Sequence, residues 1–241
     1  MQEKLSRARY VRGLFDRLAF RYDLANWVIT LGRIRGWRER LVREMDFRDA
    51  PRVLDLAAGT GDLTLTIARR APRTRIIGVD LARGMLQRGQ KKIKQAGLDG
   101  RISLIVADVT ALPFKDDAFD AITNAFMLRH MVSLPAAFSE FKRVLRPGGI
   151  LGSLELTHPT LPVFRQLFDL LFRYLIPPVG GLISGDLEAF RYLPRSLASF
   201  PGHQELLRIL KDAGYEETRC RRMGMGMVAA HLGRKPKGQT G

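Results

Sequence analysis

Two acids and a pair of glycines hold the first chemistry in this sequence. Asp80 closes an apolar run, Ile76-Ile77-Gly78-Val79, nineteen residues after Gly61. An acid at the tip of a second strand can accept hydrogen bonds from both ribose hydroxyls of an adenosine-type ligand; Leu81 follows it. Asp108 ends the run Ile102 to Ala107 and can accept a hydrogen bond from an adenine amino group, while Val109 offers the ring an apolar wall. A surface Asp capping a turn would look the same taken alone. The matching places of Asp80 and Asp108 after successive strands favour the ligand. Gly59 and Gly61 lie in Ala57-Ala58-Gly59-Thr60-Gly61, where the lack of bulk lets the backbone close on a bound molecule.

These residues need a scaffold, and the surrounding pattern supplies one. Val53, Leu54 and Leu56 read as a buried strand, and Leu63 to Arg70 has the spacing of a helix. Strand, glycine turn and helix make the first half of a nucleotide-binding βαβ unit. The dinucleotide pattern G-x-G-x-x-G would need a small residue at Thr64, or at Asp62 if counted from Ala57, so pyrophosphate binding is disfavoured. Asp55-x-x-x-Gly59-x-Gly61, closed by an acid, resembles the S-adenosylmethionine loop of class I methyltransferases. Asp55, Ala57, Gly59 and Gly61 are its candidate cofactor residues.

At 241 residues the chain is expected to form one domain, and its apolar content of 46% is that of a soluble globular protein. Forty Lys and Arg against 24 Asp and Glu give a net charge of +16, which favours polyanions: nucleic acid or an anionic membrane surface. The single cysteine, Cys220, excludes an internal disulfide and a cysteine-cluster metal site and is compatible with the cytosol. No metal site is expected. The N-terminus has no apolar signal core, and no run of eighteen uncharged apolar residues exists to span a bilayer.

In chain order, residues 1–50 read as a basic helical cap with interleaved aromatics, either a nucleic-acid surface or an amphipathic cover over the cleft. The core, 51–156, alternates strands near 52–56, 75–80, 102–107, 119–125 and 149–156 with helices near 62–70, 83–96 and 134–145, which predicts a parallel sheet with helices on both faces. Arg146-Pro147-Gly148-Gly149 reads as a helix stop and turn. An insertion, 157–203, carries the apolar helix Leu161–Ile176, stopped by Pro177-Pro178 with a flexible turn at Gly180-Gly181. That helix is either core or a contact for a greasy substrate or membrane, with Phe168 and Phe172 as candidate contacts. Residues 204–232 read as a helix and an antiparallel hairpin, and 233–241 as a disordered tail. The resulting expectation is a class I methyltransferase Rossmann-like α/β fold, seven-stranded and mostly parallel.

Several motifs resemble one family, the C-methyltransferases of ubiquinone and menaquinone biosynthesis. They are Phe15-Asp16, Arg21-Tyr22-Asp23-Leu24 with Asn26, the loop Leu54 to Asp62, Ala111-Leu112-Pro113-Phe114, Phe119-Asp120, Leu128-Arg129, Arg143 to Gly149, Phe190-Arg191-Tyr192-Leu193 and Val228-Ala229-Ala230-His231. The resemblance implies S-adenosylmethionine as cofactor and carries its residues over as Thr60, Asp80, Asp108 and Val109; Asn124 and Ala125 complete the candidate set. The chain departs from the family at Ala125-Phe126-Met127-Leu128-Arg129-His130, where Met127 narrows the pocket, and at Glu155-Leu156-Thr157-His158-Pro159.

The implied reaction moves a methyl group to a ring carbon that becomes nucleophilic when its neighbouring phenol loses a proton. His130, with an unperturbed pKa of ~6.5, is the first candidate base, with Asp23 and Glu155 as competitors; Arg129 can stabilise the phenolate. Tyr22 and Tyr192 are expected to line the acceptor pocket. The expected acceptor is a prenylated quinol met at the inner face of an anionic membrane by a cytoplasmic protein, with a homodimer left open. Another phenolic or lipid acceptor, a nucleic-acid-binding role and a non-catalytic role in a quinone-synthesis complex are the alternatives. Basic residues spread along the chain, with no Asn/Asp-Pro-Pro-aromatic signature after the fourth strand, argue against nucleic acid.

Overall fold

The computed structural model describes residues 2–47 and 50–238. Three helices lead: α1 (Gln2–Leu18), α2 (Tyr22–Ile29) and α3 (Arg33–Glu44). Then β1 (Arg52–Leu56), α4 (Asp62–Arg70), β2 (Arg75–Asp80), α5 (Arg83–Gln95), β3 (Ile102–Val106), β4 (Phe119–Ala125), α6 (Leu134–Val144) and β5 (Leu145–Leu156) alternate. The chain continues with α7 (Pro162–Leu170), a π-helical turn (Leu171–Leu175), α8 (Ile176–Ser184), α9 (Leu187–Ala198), α10 (His203–Asp212), β6 (Glu216–Met223) and β7 (Val228–Arg234).

The seven strands form one sheet in the order β3-β2-β1-β4-β5-β7-β6. The first five are parallel, while β7 runs antiparallel to both β5 and β6. The sheet is the expected class I methyltransferase arrangement. Central strands covered on both faces must be apolar almost throughout, and all seven residues of β4 but the last are buried. Leu54, Leu56, Ile122 and Leu151 are removed from solvent entirely, each contributing about 1.5–3 kcal/mol by the usual measure of apolar burial. α3, α4 and α5 cover one face; α6 and α10 cover the other. Strand order reverses between β1 and β4, so a crevice opens there at the strands' carboxyl ends.

Four expectations are corrected. The Arg146–Gly149 segment does not end a helix before β5: it lies inside β5, as a register shift between the Phe119–Leu145 and Ala121–Ile150 pairs. Pro177-Pro178 does not end the apolar helix either. The helix runs on through a π-helical turn, Leu171–Leu175, and the prolines follow it at the start of α8. Gly180-Gly181 is helix, not a flexible turn: a Cβ at Gly180 would lie 2.3 Å from Phe190 Cδ1, so the glycine lets α8 press against α9. The expected disordered tail, 233–241, is ordered at its start, since β7 reaches Arg234 and Lys235 N donates to the Gly149 carbonyl at 3.0 Å; residues 239–241 lie outside the described residues.

Pro162–Ser184, 23 residues in all, is by length and composition long and apolar enough to cross a membrane. It lies against α9 and α2 and presents Val163, Leu167, Leu170, Leu175 and Leu182 outward.

Candidate functional site

The first cavity, about 420 Å³, opens at the strand-order reversal. Ala57 and Gly59 after β1, Asp80 and Leu81 after β2, Asp108 and Val109 after β3, and Ala125 at the end of β4 line it. Asp80 is fixed by backbone: Oδ2 accepts from Gly59 N at 2.9 Å and Oδ1 from Ala82 N at 2.8 Å. Burial pushes its pKa up, opposed by these N–H donors. Gly59 holds φ +56°, and the atom nearest to a Cβ there would be 3.9 Å away, so its backbone faces open space. Asp108 Oδ1 accepts from Thr110 N and Oγ1 at 2.8 and 2.7 Å, which fixes the carboxylate at the rim.

Met127 and His130 close the opposite side of this cavity. His130 Nδ1 lies 3.0 Å from Tyr192 Oη, with the rings stacked at 17° and Phe15 packed edge-on. Tyr192 thus stands behind His130 and not on the cavity wall. Phe126, just after β4, has φ +59°, a conformation costing a bulky residue about 1–3 kcal/mol. Its N–H donates to the Leu154 carbonyl at 2.7 Å, and the imposed geometry aims its ring between two cavities.

Other predicted residues support these walls without forming them. Asp55 is buried beneath the loop, accepting from Thr64 and Thr123 hydroxyls at 2.6 and 2.8 Å; burial pushes its pKa up to about 6. Gly61, at φ +78°, starts α4. Thr60 turns away from the cavity and donates to Asp23 Oδ1 at 2.6 Å. Asp23 is committed there, bridged also to Arg88 and Lys92 at 3.3 and 3.2 Å, so it ties α2 to the glycine loop and does not reach the reacting region. Asn124 donates to Ser153 Oγ at 2.7 Å inside the sheet. Glu155 is buried, accepts from Leu128 N at 2.5 Å and holds Arg129 at 3.0 Å. Its place under Arg129 and not at the cavity removes it as a competing base.

A second cavity, about 340 Å³, lies between the cap and the insertion. Phe168 and Phe172 form part of its wall, as the sequence suggested, together with Trp37, Leu167, Leu193 and Met227. Tyr22 and Phe126 line both cavities and so mark where they meet. Arg129 faces the second cavity, with its guanidinium 5.9 Å from the centre of the Phe126 ring. Phe126 was legible only as part of a motif, Trp37 only as one of the aromatics interleaved in the cap, and Met227 carries no signal of its own in the sequence.

The family model of the ubiE/COQ5 methyltransferase family matches residues 2–235. The chain belongs to the ubiE/COQ5 methyltransferase family. Within it, the chain is 41% identical over 222 residues to the ubiquinone/menaquinone biosynthesis C-methyltransferase UbiE of Syntrophotalea carbinolica, covering 92% of each. It is 34% identical to the demethylmenaquinone methyltransferase of Staphylococcus aureus, covering 100% of this chain and 99% of that one. Solved structures share the fold. A methyltransferase from Thermotoga maritima, described as a possible histamine N-methyltransferase, gives TM-score 0.66 at 17% identity, covering 92% and 98% of the two chains. Human N-acetylserotonin methyltransferase with bound cofactor gives TM-score 0.63 at 16% identity, covering 92% and 56%.

This member of the ubiE/COQ5 family is an S-adenosylmethionine-dependent methyltransferase. The first cavity fits that cofactor's chemistry. It offers one fixed carboxylate for a ribose, a second for an amino group, an apolar wall beside it and a bare backbone turn.

Proposed function

We propose that this protein methylates a ring carbon of a prenylated quinol, of the demethylmenaquinol or ubiquinol-precursor type, at a membrane surface. One observation carries the reading: an acid-lined cavity suited to an adenosine meets an apolar cavity at Tyr22 and Phe126, beside His130 and Arg129. The names of the two relatives above point to the same acceptors.

When bound, the cofactor supplies a sulfonium-held methyl group that a carbon nucleophile takes by in-line displacement. Asp80 and Asp108 would hold the adenosine, so alignment of donor and acceptor would fall to Tyr22, Met127 and Phe126. In the tautomer whose Nδ1–H donates to Tyr192 Oη, the basic nitrogen of His130 is Nε2, and in that form it takes the phenolic proton. Arg129, held by buried Glu155, places a cation by the passage to stabilise the phenolate. His130 is a candidate catalytic residue; Tyr192 positions it.

Support for a membrane surface comes from the apolar residues turned outward on α7 and α8, from Leu31, which is 80% exposed, and from the net charge of +16. An exposed apolar face on a strongly basic chain suits the anionic inner leaflet of a cell membrane. Co-flotation with phospholipid vesicles tests this. Binding that rises with anionic lipid and falls with salt supports surface action, whereas equal recovery with and without vesicles removes it. Formation of methylated product from demethylmenaquinol in the same vesicles tests the acceptor.

A further inference from the structure

We propose that the second cavity is the seat of the acceptor's isoprenoid tail, entered from a mouth between the end of α2 and the outer face of α7. The proposal rests on the acceptor reading above and adds the place and direction of the chain. Apolar side chains dominate the wall, and two methionines, Met225 and Met227, give it adaptable surface suited to a flexible hydrocarbon. Of its polar groups, Arg33 is exposed to solvent, while Thr30 and Arg129 are engaged within the protein. Thr30 Oγ1 donates to the Asn26 carbonyl at 2.6 Å, and Arg129 pairs with Glu155. A polar ligand would therefore lose hydration with little in return, while an apolar chain loses none.

Continuity with the first cavity sets the inner end. Tyr22 and Phe126 belong to both, so a ring held between them places its tail in the second chamber and its reacting carbon toward the first. The outer end is set by side chains that line the chamber and are exposed at the same time. Leu31 is 80% exposed, Met225 59% and Leu167 50%. That rim adjoins the outward apolar residues of Pro162–Ser184, so a chain leaving the mouth runs along a hydrocarbon-like surface. The tail can then stay in lipid while the ring reaches the reacting atoms.

The two tryptophans allow a direct test. Trp37 lines the chamber and Trp27 does not, so Trp27→Phe leaves one reporter inside. The probe is a two-unit isoprenoid alcohol, ringless and brominated across its terminal double bond, titrated into Trp27→Phe protein in buffer. Saturable quenching of Trp37, weakened about tenfold or more by Leu167→Asp in the same background, is the expected result. Met225→Asp, also at the exposed rim, should act alike and guards against a folding defect in one variant. No saturable quenching, or quenching untouched by either aspartate, overturns the tail seat. Methylation of demethylmenaquinol without quenching by the probe overturns the seat and leaves the acceptor reading intact. Saturable, Leu167-dependent quenching in a protein that methylates no quinol supports the seat and removes that reading.

Discussion

The two cavities are built in opposite ways. The first takes its walls from the loops that follow β1, β2, β3 and β4, and its acids are held by backbone N–H groups as close as 2.8 Å. The second is walled by side chains from α2, α3, the insertion and the β6–β7 turn, and backbone plays little part. A ligand that needs fixed hydrogen bonds suits the first; one that needs only displaced water suits the second. The difference teaches that two binding chemistries can share a passage, Tyr22 and Phe126, with their determinants on separate elements. It follows that each can be disabled alone.

Glu155→Ala is the change that should spare neither cavity. It removes the carboxylate from buried Arg129, a wall of the second, and the acceptor from Leu128 N, in the segment that closes the first. Stripping one partner from a buried pair costs about 3–5 kcal/mol, so the denaturant midpoint should drop sharply. Asp80→Ala should cut the two apart. Loss of a fixed ribose acceptor is expected to weaken cofactor binding by about 100-fold, about 2.7 kcal/mol, in a calorimetric titration, with quenching of Trp37 by the isoprenoid probe unchanged. Parallel losses in both assays would mean that the cavities are one site.

Acid probes the sheet at β7, away from the first cavity. His231, in β7, is buried with Nε2 2.8 Å from the His203 carbonyl, and burial pushes its pKa down to about 4. The unfolded chain, near the ordinary value of ~6.5, takes the proton first. The stability is therefore full above about pH 6.5 and is lost as the pH falls toward 4, by about 2 kcal/mol between pH 7 and pH 5. Denaturant midpoints of His231→Gln should fall less over that interval than those of the parent protein. The smallest effect belongs to Tyr192→Phe, which frees the His130 ring without touching either ligand. About a tenfold loss of kcat with KM unchanged is expected, together with a displaced pH–rate profile. An unchanged profile would make the His130–Tyr192 contact merely structural.

The same contrast explains what could be read from the sequence. The first cavity was legible because each wall follows a strand whose apolar run is visible, so Asp80, Asp108 and Gly59 fall where strand ends must be. The parallel sheet with helices on both faces followed from the same alternation, while the order of its strands is set by tertiary pairing. Thr60, Asp23, Asn124 and Glu155 lay near the right elements but on the wrong side of them; side-chain direction depends on partners such as Lys92 and Ser153 that lie far off in the sequence. The second cavity was half legible. Phe168 and Phe172 stood out on an apolar helix, but Trp37 and Met227 join them only through packing. The prolines misled because a π-helical turn absorbs them, and Gly180 misled because its lack of a side chain serves contact with Phe190, not bending.

We propose that a methyl donor in the strand-end cavity faces a ring carbon presented from the apolar one. Turnover with methyl-labelled S-adenosylmethionine and demethylmenaquinol in anionic vesicles, with the labelled product resolved by carbon NMR, tests it most directly. A carbon-bound methyl on the quinol ring is the expected result. Label on oxygen, or no product from a protein that binds the cofactor, would contradict it.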